Sequence, residues 1–96
     1  MVFGGQRKMT IIKWFQRHKE RKFIKEAFQI SRSFIHECSP SAIGELIKAY
    51  HELLDDYRIK YGTDDIYYHY IGRLEYYKHI KRYKERDELL RRKIEE

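Results

Sequence analysis

Five histidines, one cysteine and fifteen carboxylates are the side chains here that could hold a metal or activate a nucleophile. His51 and Asp55 are four residues apart, as are Glu75 and His79, so on helices each pair shares a face and could share a metal. A di-metal carboxylate bundle requires Glu-x-x-His on two helices and two further glutamates, and that spacing is missing. His36 and Cys38 are two apart and point to different helix faces. Cys38 has no neighbouring base to activate it, and a lone cysteine makes neither an internal disulfide nor a cysteine-rich zinc site. No glycine-rich phosphate loop occurs. The residues nominate no catalytic group, metal, cofactor or small-molecule substrate, and the expectation is a protein that is not an enzyme.

A stronger signal is electrostatic. Arg7, Lys8, Lys13, Arg17, Lys19, Arg21, Lys22 and Lys25 are opposed only by Glu20 in the first 25 residues. On a helix such a segment could neutralise several phosphates with salt-sensitive, largely sequence-blind affinity. Trp14 and Phe15 could then stack on bases or lie in a membrane interface. Plain solvation of a charged helix face is the competing reading. The net charge of +6 and pI near 9.4 favour acidic partners in any of these cases. A second basic cluster, Lys78, Lys81, Arg82, Lys84 and Arg86, runs into Asp87 and Glu88, and its mixed signs suggest i,i+4 pairing such as Glu88 with Arg92.

Composition adds a setting. The chain has no Asn and only three Gln, but is rich in Lys, Arg, Glu, Ile and Tyr. Scarce amides and abundant ion-pairing residues mark hyperthermophile proteins, so the source reads as thermophilic, archaeal or a virus of archaea. The single cysteine fits a reducing compartment. No apolar run approaches the ~20 residues that span a bilayer, and no signal-peptide core is visible. An intracellular location is expected, or a virion-associated one if the source is viral.

These residues must be carried by helices. Charged residues make up 38% and hydrophobic residues 42%, which excludes wholesale disorder. One proline leaves few breaks, and period-two alternation is absent. Gly4-Gly5 predicts a flexible lead over 1–9, and Thr10 a helix cap, followed by a single helical domain over 10–96. Its helices are expected at 10–38, 40–61 and 64–95. Ser39-Pro40 stops the first and starts the second. Gly62 closes the second in the left-handed conformation, and Thr63-Asp64-Asp65 caps the third.

The stripes then give the fold class: all-α, a three-helix bundle or elongated helical hairpin with helical extensions at both ends. The second helix buries Ile43, Leu46, Ile47, Tyr50, Leu53, Leu54, Tyr57 and Tyr61. Phe23, Ile24, Ala27, Phe28, Ile30, Phe34, Ile35 and Cys38 share a broad face of the first. Ile66, Tyr67, Tyr70, Ile71, Leu74 and Tyr77 share one of the third. Two apolar sets point away from these faces. Ile11, Trp14 and Phe15 form a tip on the first helix. Tyr76, Ile80, Tyr83, Leu90 and Ile94 form a heptad seam on the third, with Asp87 in step. The seam reads either as gradual wrapping around the core or as a second contact surface. Exposed seams favour partners, and a second copy in a homodimer, or another protein, is the expected one. A helix-turn-helix DNA reader fits poorly, because the third helix is too long and the exposed face of the second is acidic. The overall expectation is a small interaction or assembly protein, with nucleic-acid binding by residues 7–25 as the alternative and a membrane surface as a weaker one.

Overall fold

A computed structural model describes the backbone of residues 2–95 and the side chains of residues 11–94. It contains α1 (Val2–Phe34), a single 3-10 turn (Ile35–Glu37), α2 (Pro40–Tyr61) and α3 (Asp65–Glu95). The fold is all-α, as expected, and α2 packs most closely on α3.

The helix ends follow from local chemistry. Ser39 Oγ accepts from the Ala42 N–H at 3.2 Å and Pro40 takes the first helical position. Gly62 has φ of 85° and donates its N–H to the Arg58 carbonyl at 2.7 Å, which only glycine does without strain. Asp64 caps α3, its Oδ1 accepting from the Tyr67 N–H at 3.0 Å.

Two boundaries differ from expectation. Helix α1 begins at Val2, so the lead expected over 1–9 is helical from that residue and Thr10 lies inside the helix instead of capping it. Gly4 and Gly5 weaken those turns by about 1 kcal/mol each relative to alanine, but neither removes a hydrogen bond as proline would. At its other end α1 stops at Phe34, and Ile35–Glu37 tightens into a 3-10 turn before Cys38 becomes extended. Lys84 from α3 donates to the His36 and Cys38 carbonyls, satisfying acceptors that a helix end leaves unpaired.

The molecule measures 77 × 20 × 17 Å. Helices α1 and α3, with 33 and 31 residues, are each only about 45–50 Å long at 1.5 Å per residue, so they are staggered along the rod. The bundled section lies between two sets of contacts. At one end Arg17, Arg21 and Glu20 of α1 meet Asp64, Asp65 and Lys60 around the α2–α3 turn. At the other, Lys84 grips the α1–α2 turn. Residues of α1 before Lys13 and of α3 after Lys84 run on past opposite ends, although Asp87, Glu88 and Arg91 still border the α1–α2 turn.

Between those ends the core is narrow and aromatic. On α1 the buried residues are Ile24, Phe28, Ser31 and Ile35, a heptad seam narrower than the expected face. Phe23 and Ile30, placed on that face from the sequence, are instead exposed at 59% and 64%. A bundle about 20 Å thick covers only the strip of α1 that faces both other helices. Ser31 takes the position a larger apolar residue would fill, because the Phe28 ring is surrounded by Tyr50, Tyr70 and Tyr77 at centroid distances of 4.4, 4.6 and 5.9 Å. The tyrosine hydroxyls need partners once buried. Tyr50 donates to the Ala27 carbonyl at 2.7 Å, and the Tyr77 hydroxyl lies 2.8 Å from Ser31 Oγ. The second helix keeps its expected stripe: Ile43, Leu54 and Tyr57 are buried, with Leu46, Ile47, Tyr50 and Leu53 packed around them.

Candidate interaction surfaces

The heptad seam of α3 divides at the edge of the bundle. Ile80 is only 8% exposed and belongs to the core, which corrects its assignment to an outward interface. Wrapping ends there: Tyr83, Leu90 and Ile94 continue the same steps and are 72%, 52% and 83% exposed. Tyr76, below Ile80, is also exposed, as is Leu89 on another side of the overhang. Tyr76 is exposed even alongside α1, so the length of α1 bears only on the residues above Ile80. A cleft between the two helices is lined by Lys25, Gln29 and Arg32 from α1 and by His69 and Arg73 from α3. Positions 69, 73, 76, 80, 83, 87, 90 and 94 follow one another by fours and threes, so the seam continues the cleft rim of α3, beside the Tyr70–Tyr77–Lys84 strip that touches α1 and the turn after it. Helix α1 ends at Phe34 and leaves that side uncovered above Ile80.

The N-terminal tip has the complementary placement. Ile11, Ile12, Trp14 and Phe15 are all more than half exposed. Trp14 stacks on His18 at 5.4 Å and meets Phe15 edge-on at 5.1 Å. Ile11, Trp14 and His18 step by three and four, and His18 precedes Lys25 by one heptad, so they share the side of α1 that carries Lys25 and Arg32 into the cleft. The cleft side of the α1–α3 face therefore runs from Ile11 and Trp14 at one end of the rod to the seam at the other, and Trp14 also borders Lys60 and Tyr61 of α2.

The basic segment is only partly free. Arg17 donates to Asp64 at 2.6 Å and lies 5.9 Å from the Tyr61 ring, while Arg21 bonds both oxygens of Asp65 at 3.1 and 3.2 Å. Tyr57 completes the first cluster by donating to Asp64 at 2.5 Å. Burial pushes the Asp64 carboxyl up, but the bonds from Tyr57, Arg17 and the Tyr67 N–H outweigh it and hold the group down to about 2. Beside it burial, then Glu20, raises the Tyr61 hydroxyl to about 12. Two of the cations read as phosphate ligands thus clamp α1 onto the α2–α3 turn. Lys13, Lys19, Lys22 and Lys25 form no ion pair among the described residues. Arg7 and Lys8 lie outside the described side chains.

Sequence reasoning did not find the α1–α3 cleft, nor an open apolar groove of about 570 Å³ between α1 and α2 where exposed Phe23 lies beside Leu53 and Tyr57. Arg32 and Arg73 are 41 positions apart with nothing local to link them. The charge pairs also shift register: Asp87–Arg91 and Lys81–Glu85 form on α3, and Glu75 pairs with Lys78 in preference to His79. His51 does meet Asp55, at 3.5 Å. Among the described residues no three His, Cys, Asp or Glu side chains come together as metal ligands, and no helix is long and apolar enough to cross a membrane. Comparison with family models, curated proteins and solved structures finds no match for this chain.

Proposed function

We propose that this chain is a non-enzymatic helical assembly component that associates with copies of itself, the α1 overhang of one copy packing on the α3 overhang of another. The observation that carries this reading is the position of the exposed apolar side chains. Tyr83, Leu90 and Ile94 lie where α1 has ended, and exposed Ile11, Trp14 and Phe15 lie at the α2–α3 turn and beyond it, Trp14 bordering Lys60 and Tyr61. Each fully buried Leu or Ile is worth roughly 1.5–3 kcal/mol, so leaving both strips in water is costly. Charge agrees with the pairing. Residues 1–16 carry three basic side chains and no acid, whereas residues 85–96 carry four basic and five acidic. In a two-fold dimer with antiparallel rods each overhang meets its opposite number, which closes the assembly. The cationic middle of the face confines contact to its ends.

Light scattering with disulfide trapping tests this. A dimer should form at micromolar concentration, and cysteines at Trp14 and Leu90 should cross-link between copies. A strict monomer at millimolar concentration, or no cross-link, ends the reading.

A second reading, nucleic-acid binding by the basic α1, is favoured by Lys13, Lys19, Lys22 and Lys25, which form no ion pair among the described residues, and weakened by the occupation of Arg17 and Arg21. A mobility shift at about 50 mM salt, abolished by changing those four lysines to Ser, supports it; absence of any shift removes it.

A further inference from the structure

The middle of the α1–α3 face differs from its ends. Here Lys25 and Arg32 face Arg73 across a cleft of about 180 Å³, with Gln29 and His69 beside them and no carboxylate in its lining. The floor is aromatic, made by Phe28, Tyr70 and Tyr77, all buried. Several other cations of the bundle have found acids: Arg17 and Arg21 at the α2–α3 turn, Lys60 with Glu20, Lys78 with Glu75, Lys81 with Glu85. Lys25, Arg32 and Arg73 form no ion pair among the described residues.

Three like charges around one cleft repel each other, and a low-dielectric floor concentrates their field. An anion among them turns that repulsion into attraction. The ligand is small, because the space is well under the roughly 300 Å³ of a typical organic-ligand pocket. Two guanidinium groups from facing helices can offer paired N–H donors to a tetrahedral oxyanion, a geometry suited to phosphate. Gln29 and His69 supply further polar groups at the rim.

We propose that the cleft between α1 and α3 is a binding site for a phosphate group, with Arg32 and Arg73 as its principal ligands and Lys25 as supporting charge. The same recognition serves free phosphate, a mononucleotide or one phosphodiester of a single strand. It stands independently of self-association, which uses the apolar ends of the face.

The test is amide NMR of the full chain titrated with inorganic phosphate, with chloride at matched ionic strength, with adenosine monophosphate and with a single-stranded oligonucleotide. Phosphate should move resonances in residues 25–32 and 69–73, and chloride should not. Arg32→Gln with Arg73→Gln should weaken binding at least about tenfold, since two charge-assisted hydrogen bonds are lost. Lys25→Gln, a change at an exposed side chain that leaves the core untouched, should weaken it less. Arg82→Gln, outside the cleft, should leave it unchanged. Tighter binding of the oligonucleotide with a steep salt dependence assigns the phosphate to a nucleic-acid strand, and equal or weaker binding assigns it to a small molecule. Chloride reproducing the shifts, native affinity in the double variant, or an equal loss in Arg82→Gln would overturn the site.

Discussion

Arg17 and Asp64 stand 47 positions apart and are joined at 2.6 Å, the Asp64 carboxylate also accepting from Tyr57 and capping α3 through the Tyr67 N–H. One acid thus joins all three helices at the end where α1 leaves the bundle. Removing Arg17 leaves Tyr57 and the cap in place, so Arg17→Ala should cost about 1–2 kcal/mol, the scale of a charge-assisted hydrogen bond in a partly exposed setting. Asp64→Ala removes three bonds at once and should cost more. Urea melts of both variants and of the double variant measure this; independent, additive losses would show that the cluster is not a unit.

The same acid sets a pH dependence. Its carboxyl is held at about 2 in the folded chain, below the ordinary value of 3.8. A depressed acid contributes stability that is present above its unfolded value and lost as pH falls through its folded value. The loss should fall between about pH 4 and pH 2, and a shift of that size corresponds to at most about 2.5 kcal/mol, less where solvent screens the partly exposed Arg17. Asp64→Asn keeps a capping side chain but cannot titrate, so its melting temperature should fall less steeply than that of the native chain across this window. Parallel acid limbs for the two proteins would refute the assignment.

Ser31 and Tyr77 make a further case of buried polarity. The Ser31 hydroxyl also donates to the Phe28 carbonyl at 3.1 Å, and Tyr77 reaches the same carbonyl at 3.4 Å. Ser31→Ala should cost about 1–2 kcal/mol, since Tyr77 keeps one longer bond. Ser31→Leu should cost more, because the Phe28 and Tyr77 rings leave no room for the added volume. Thermal melts in which the leucine variant is the more stable would show that the seam tolerates an ordinary apolar core there.

Ile80 and Leu90 share a heptad stripe but should respond oppositely to lysine. Ile80→Lys buries a charge in the core and should destabilise the fold by more than about 3 kcal/mol. Leu90→Lys should leave the monomer within about 0.5 kcal/mol of native stability and abolish self-association. Circular dichroism melts at low concentration combined with light scattering separate the two effects. A folded dimer of the Leu90 variant would contradict the overhang pairing.

Two glycines supply a contrast in backbone stability. A Cβ at Gly72, inside α3, meets nothing within 4 Å, so Gly72→Ala should stabilise by about 1 kcal/mol. Gly62, at φ of 85°, also has open space around it, yet Gly62→Ala should destabilise because the left-handed conformation strains any side chain. Denaturation midpoints moving in the same direction would be inconsistent with these backbone roles.

Much of the fold was legible because helix chemistry is local. Ser39-Pro40 and Gly62 mark the two turns within a few residues, and the stripe of α2 from Ile43 to Tyr61 lists its own buried face through a spacing of three and four. What is local in free energy can be read from neighbours in the chain. The width of a buried face is not local. Phe23 and Ile30 are apolar and correctly spaced, but solvent reaches them because the other two helices cover only the Ile24–Phe28–Ser31–Ile35 strip.

The seam and tip show where sequence and structure divide the work. Sequence periodicity alone set Ile11–Phe15 and Tyr76–Ile94 apart from the main stripes of their helices, since 100° per residue is a property of every α-helix. Only the tertiary structure decided that Ile80 joins the core while Tyr76 before it and Tyr83 after it stay exposed, because that depends on which side of α3 the other helices reach. The fate of the charges was decided there too. Arg17 and Arg21 became clamps on Asp64 and Asp65, while Lys25, Arg32 and Arg73 were gathered into one cleft. Coulomb interactions depend on distance in space, and 41 positions of intervening chain carry no record of which cations will share a wall.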